Sequence, residues 1–107
     1  MTDESFAVSV SRKRIRLTSE RWTHIETRHP NLQGWRRRVL ETVESPEFVV
    51  PGRHSELLAV SPYSHLGKTR FLVVVYREMG EDGFIITAVL ISDVRSLKKR
   101  GVVWPNR

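Results

Sequence analysis

The chain is 107 residues long, carries a formal net charge of +6 and contains no cysteine. That length holds one domain, long enough to bury something like two thirds of its unfolded surface around a single core. The missing cysteine excludes disulfides, thiolate metal sites and cysteine nucleophiles and fits a reducing compartment such as the cytoplasm; no apolar run approaches a membrane span, and neither an anchor nor a signal peptide is expected.

Arginine supplies 14 of the 18 basic residues. Such an excess raises encounter rates with a polyanion and supplies phosphate contacts, so nucleic acid is the natural class of partner, although arginine preference also follows from a GC-rich genome.

Residues 1–11 alternate Phe6, Val8 and Val10 with polar residues, a pattern for a flexible tail or a short edge strand. Arg12, Lys13, Arg14 and Arg16 then alternate partly with Ile15 and Leu17. This is either an RNA-facing rim or a charged edge that prevents sheet stacking. The stretch LTSERWTHIETRHP, residues 17–30, reads as an amphipathic helix. Thr18 or Ser19 caps its first turn, Glu20 suits the positive end of the dipole, and Pro30 closes it at about His29. The capping box is incomplete, because Arg21 stands where Glu or Gln is wanted. Trp22, Ile25 and His29 lie along one stripe, and Arg21, His24 and Arg28 along another.

After a turn at residues 31–34, a second helix is expected over residues 35–44, with Trp35, Val39, Leu40 and Val43 on a core-facing stripe. Arg36, Arg37 and Arg38 fan over its other sides as a solvated face. Ser45-Pro46 breaks this helix, and Phe48 to Val50 lead to a turn at Pro51-Gly52. Three β-branched or aromatic runs follow, residues 56–60, 70–78 and 84–92, and read as three consecutive antiparallel strands. The middle one, FLVVVY, is apolar throughout and suits a central strand. The third contains a single hydroxyl, Thr87, and Trp104 near the C-terminus is placed to pack back onto the sheet. The expected core comprises Trp22, Ile25, Val39, Leu40, Val43, Leu72, Val74 and Ile86. Together these elements predict an α+β fold of two N-terminal helices packed on a three- to four-stranded antiparallel sheet. The other sheet face, lined by Arg53, Lys68, Arg70 or Arg77, would form a phosphate-binding groove.

Histidine exchanges protons best near neutral pH, and arginine best matches phosphate geometry, so His24 and Arg28 present a proton carrier beside an anion clamp. Zinc is disfavoured because His24 and His29 are about 140° apart around a helix, and no acidic cluster suits magnesium. Gly67-Lys68-Thr69 lacks the preceding glycine of a P-loop and reads as a hairpin turn. A metal-free ribonuclease needs a base for the ribose 2′-OH, an acid for the leaving 5′-oxygen and cations for the developing charge. His24 is the best candidate proton carrier, Arg28 with Arg53 or Lys68 the best clamps, and Thr87 or Tyr76 can orient the phosphate. No metal or cofactor is called for.

The order RWTHIETRHP, GRHSELLAVSPY, GKTRFLVVVYRE and DGFIITAVLIS, covering about residues 14–92, resembles the phage-type barnase/EndoU/colicin/RelE-like (BECR-fold) nuclease group. The resemblance implies N-terminal helices on a four-stranded antiparallel sheet and a metal-independent endoribonuclease of toxin, phage or conflict systems. It also implies RNA as substrate and an antitoxin or immunity protein as a possible partner. It matches His24 and Arg28 to a helical H-x-x-x-R and Thr87 to a polar residue late in the sheet, giving these three as catalytic candidates. Arg53 and Lys68 fall where basic site residues are common and stand, with His29 and Tyr76, as substrate-binding candidates, although His29 also reads as a packed, helix-terminating residue. The alternative is a noncatalytic nucleic-acid- or partner-binding module of the same fold.

Overall fold

The computed structural model describes residues 4–106. Two short strands come first, β1 (Glu4–Val8) and β2 (Arg14–Thr18), joined by a turn in which Arg12 holds a left-handed φ of 67°. Residues 4–8 of the stretch read as tail or edge strand are thus β1; residues 1–3 lie outside the described residues. In β2 the side chains alternate, with Ile15 and Leu17 fully buried and Arg14, Arg16 and Thr18 exposed.

α1 (Ser19–Arg28) starts where the Thr18 hydroxyl accepts from the Arg21 amide at 3.1 Å, satisfying one of the free N–H groups of the first turn. Trp22 and Ile25 are its buried stripe. It closes at His29, whose N–H donates to the Ile25 carbonyl at 2.8 Å, and Pro30 then opens a single 3-10 turn (Pro30–Leu32) that buries Leu32. α2 (Arg36–Glu44) buries Val39, Thr42 and Val43 together with Trp35 just before it, while Leu40 is half-buried. Four strands follow, β3 (Phe48–Pro51), β4 (Glu56–His65), β5 (Lys68–Met79) and β6 (Asp82–Ile91), and then the single turn α3 (Arg95–Lys98). Leu66 and Gly67, both at positive φ, make the tight turn between β4 and β5.

All six strands form one mixed sheet in the order β1-β2-β6-β5-β4-β3. The expectation of two N-terminal helices on a three- to four-stranded antiparallel sheet is therefore corrected. A hairpin precedes the helices, β3 joins the sheet, and β2 runs parallel to β6, with Arg14 opposite Asp82 and Arg16 opposite Phe84. Local periodicity does not reveal this pairing, because β2 is only five residues long and its partner is at the far end of the chain. The short run Phe48–Pro51 reads in isolation as the approach to a turn.

One sheet face carries α1 and α2 over Ile15, Leu17, Ala59, Leu72, Val74, Tyr76, Ile85 and Ala88. The opposite face carries α3, whose Leu97 and the preceding Val94 pack on Phe48, Val50, Leu58, Val60 and Val73. FLVVVY is apolar at every position because both of its faces are covered. A β-bulge lies in β6: Val75 pairs with Thr87, but Tyr76 pairs with Ile85, leaving Ile86 as the extra residue. Ile85, 1% exposed, thereby takes the core place expected for Ile86, which is half-buried. Trp104 closes the β3 edge, since Val49 donates to its carbonyl and Val103 donates to the Val49 carbonyl, both at 2.8 Å. No helix among the described residues is long and apolar enough to cross a membrane.

Candidate functional site

The stripe Glu20, His24 and Arg28 runs along α1 at four-residue steps, on a flank away from the buried Trp22 and Ile25. Side chains at that spacing are neighbours, with Cβ atoms about 5–6 Å apart. His24 and Arg28 are both exposed. Thr18, Glu20, Arg21 and His24 line an open cleft of about 350 Å³. A second cleft of about 300 Å³ is lined by Glu4, Arg16, Thr18, Arg21, Phe84 and Ile85. The two share Thr18 and Arg21, so the cleft containing His24 continues around the start of α1 onto the sheet.

There it meets a row of side chains set by strand register. Phe6 lies opposite Arg16, Arg16 opposite Phe84, Phe84 opposite Arg77, and Arg77 opposite Glu56. Cross-strand partners share a face. All five lie on the face opposite α1 and α2, in the half that α3 leaves uncovered: Phe6 is 49% exposed, and the Arg14 guanidinium stacks 4.1 Å above its ring. Arg77 donates to the His54 carbonyl at 2.7 Å, while its Nε is buried without a hydrogen-bond partner among the described residues. The His54 carbonyl is presented by a strained loop, in which His54 and Ser55 both hold positive φ. Arg77 and the Phe6 ring are thus already engaged, whereas Arg16 is exposed beside the half-buried Phe84, and an arginine next to an aromatic ring is the pairing on which an unstacked base can lie while a guanidinium holds a phosphate.

Thr87 is on this same face, paired with Val75, one step along β6 from the Phe84 row. No hydrogen bond joins it to His24 or Arg28 among the described residues. His29 is the half-buried C-cap of α1, serving the helix end through its backbone. Tyr76 points into the helix-covered core, fully buried, with its hydroxyl unpartnered among the described residues. Burial, and then the nearby Glu78 charge, push that hydroxyl's pKa up, so Tyr76 stays a neutral phenol inside the core. Arg53 and Lys68 are exposed at opposite ends of β4, about 30 Å apart at strand rise, and cannot clamp one phosphate together. The groove expected from Arg53, Lys68, Arg70 and Arg77 is therefore not a single feature.

Among the described residues no group of three or more His, Cys, Asp or Glu side chains is placed to hold a metal ion. Only Lys13, Arg37 and Arg95 form ion pairs there. No family model, curated protein or solved structure matches the chain. The site thus rests on geometry alone. The sequence marks Arg16 as part of a basic rim and Arg21 as lying on the His24 stripe, but reads Glu20 only for the helix dipole and Phe6 and Phe84 only as strand residues, because Phe84 joins Arg16 only through the parallel register.

Proposed function

We propose that the protein is a metal-independent endoribonuclease acting on single-stranded RNA. The observation that carries this reading is the continuity of the His24 cleft with the arginine–phenylalanine row. It would set a proton-transfer group at the end of a track suited to an unpaired strand. In the reaction the ribose 2′-oxygen attacks the adjacent phosphorus, the bond to the 5′-oxygen breaks, and a 2′,3′-cyclic phosphate and a 5′-hydroxyl result. His24 and Glu20, neighbours in one cleft, would accept the 2′-proton and return a proton to the leaving oxygen. Arg21 and Arg28 would hold the charge developing on phosphorus, with Arg16 on the next phosphate. Thr87 would contact the strand from the sheet. RNA as substrate implies the cytoplasm as the place of action; an antitoxin or immunity partner follows only from the resemblance to toxin-like nucleases.

The test is incubation of unpaired RNA with and without EDTA, followed by analysis of the product ends. Cleavage that survives EDTA and leaves cyclic phosphate, absent on DNA, is expected, and His24→Ala should slow it by roughly 10²–10⁴. Cleavage abolished by EDTA, equal attack on DNA or a fully active His24→Ala protein would overturn the mechanism. A noncatalytic RNA-binding module is the second reading, favoured by one observation: no hydrogen bond orients the His24 ring among the described residues. RNA bound but never cut decides for it.

A further inference from the structure

We propose a separate phosphate site between the 3-10 turn and the tip of the β4–β5 hairpin, one that takes a terminal phosphate monoester. It does not rest on the ribonuclease reading. Asn31, His65, Arg70, Leu90, Ile91 and Ser92 line a pocket there of about 450 Å³. Four of the six carry donors, namely an amide, an imidazole, a guanidinium and a hydroxyl. No carboxylate lines it, whereas Glu20 and Glu4 line the two clefts at the start of α1.

Arg70 is half-buried and forms no ion pair among the described residues. Its side chain makes only a long 3.4 Å contact to the neighbouring Thr69 carbonyl. The guanidinium is thus free to turn its fork on an oxyanion. His65 is fixed in advance, its ring 5.5 Å from Trp35 and nearly perpendicular to it at 79°. Trp35 is itself held, edge to face 5.6 Å from Tyr63 and with the Arg38 guanidinium 4.4 Å above it. The Tyr63 hydroxyl bonds to Thr42 at 3.2 Å. This wall is built by α2 and β4 before any ligand arrives, which lowers the ordering cost of binding.

A monoester fits better than a diester because it presents three non-bridging oxygens and up to two negative charges to four donors, where a diester offers two oxygens and one charge. The apolar side chains of Leu90 and Ile91 can meet the sugar or base attached to it. Asn31 of the pocket lies just past the C-terminal end of α1, whereas the His24 cleft opens at the start of that ten-residue helix and reaches no further along it than His24.

The test is titration of the full chain with inorganic phosphate, adenosine 5′-monophosphate and adenosine, and then with a short RNA bearing either a 5′-phosphate or a 5′-hydroxyl. Amide and side-chain NMR shifts and tryptophan fluorescence report binding. Phosphate and the monophosphate should shift Asn31, His65, Arg70 and Ser92, and adenosine should not. Arg70→Gln should weaken binding at least about tenfold, the usual loss for a charged hydrogen-bond partner. Arg70→Lys should retain part of the affinity, and Arg53→Gln, at the other end of β4, should leave it unchanged. Preference for phosphorylated over hydroxyl-ended RNA would identify an RNA end as the source. A nucleotide that outcompetes both RNAs would identify the free nucleotide. Absence of shifts at these residues, an Arg70→Gln protein that binds as well as the parent, or equal weakening by Arg53→Gln would overturn the site, whatever the outcome of the cleavage assay.

Discussion

Replacing Ile85 and Ile86 one at a time by alanine isolates the β6 bulge, because the two neighbours differ in little except which of them it turns inward. Ile85 is 1% exposed among Ile15, Tyr76 and Ala88 on the helix-covered side, while Ile86 is the half-buried extra residue. Isoleucine to alanine removes three carbons. At about 0.8 kcal/mol per buried carbon this is about 2.4 kcal/mol at Ile85, and the cavity left behind takes the cost into the range of roughly 2–5 kcal/mol. At the half-exposed Ile86 the same deletion should cost about 1 kcal/mol. Urea unfolding followed by circular dichroism reads the difference directly. With a slope of about 2 kcal/mol per molar, the Ile85→Ala midpoint should fall by roughly 1–2.5 M and that of Ile86→Ala by about 0.5 M. Equal midpoints, or a larger loss at Ile86, would refute the bulge and with it the face assigned to Phe84.

Gly83→Ala should be among the most damaging single changes, since a Cβ there would stand 2.0 Å from the Arg77 carbonyl oxygen; a loss above about 3 kcal/mol, or failure to fold, is expected in the same unfolding assay. Thr18→Ala should cost about 1 kcal/mol by removing the α1 cap, and Thr18→Ser should restore most of it. Replacing Arg16 and Arg21 by glutamine should make the slope of RNA affinity against salt shallower by about 0.7 for each, as measured by fluorescence anisotropy. The triple change of Arg36, Arg37 and Arg38 should leave that slope alone and lower stability instead. These three hold, respectively, the Ser5 hydroxyl at 3.0 Å, Glu41 at 3.5 Å and the Trp35 ring.

Both main helices were legible because their signals are local: the hydroxyl of Thr18, the stop at Pro30 and the inward stripes of Trp22 with Ile25 and of Val39 with Val43 all lie within a few residues of one another. The antiparallel order of β4, β5 and β6 was legible for the same reason, since each strand returns beside the one before, but β4 runs through Pro62 to His65 where the expected strand ends at Val60. Leu40 falls at the margin of its stripe and ends half-buried. Tyr76 illustrates a signal left unused: it is two residues from Val74, and strand alternation alone sends both into the same core. Hairpin arithmetic likewise separates Arg53, before β4, from Lys68, after its turn. No such rule reaches the parallel contact between residues 14–16 and 82–84, because nothing in a five-residue strand names a partner at the far end of the chain. The bulge is equally silent, and so the row that joins Arg16 to Phe84 and Arg77 required the structure.

That parallel contact also governs how the protein can emerge from a ribosome. β2 and the buried side of α1 are made early, yet β6, which flanks one and supports the other, is the last strand of the sheet to be synthesised. At about 5–20 residues per second, roughly 4–15 s separate the two. Throughout that interval Ile15, Leu17, Trp22 and Ile25 lack much of the surface that later covers them, so this part of the nascent chain must either be shielded or remain unfolded until β6 arrives.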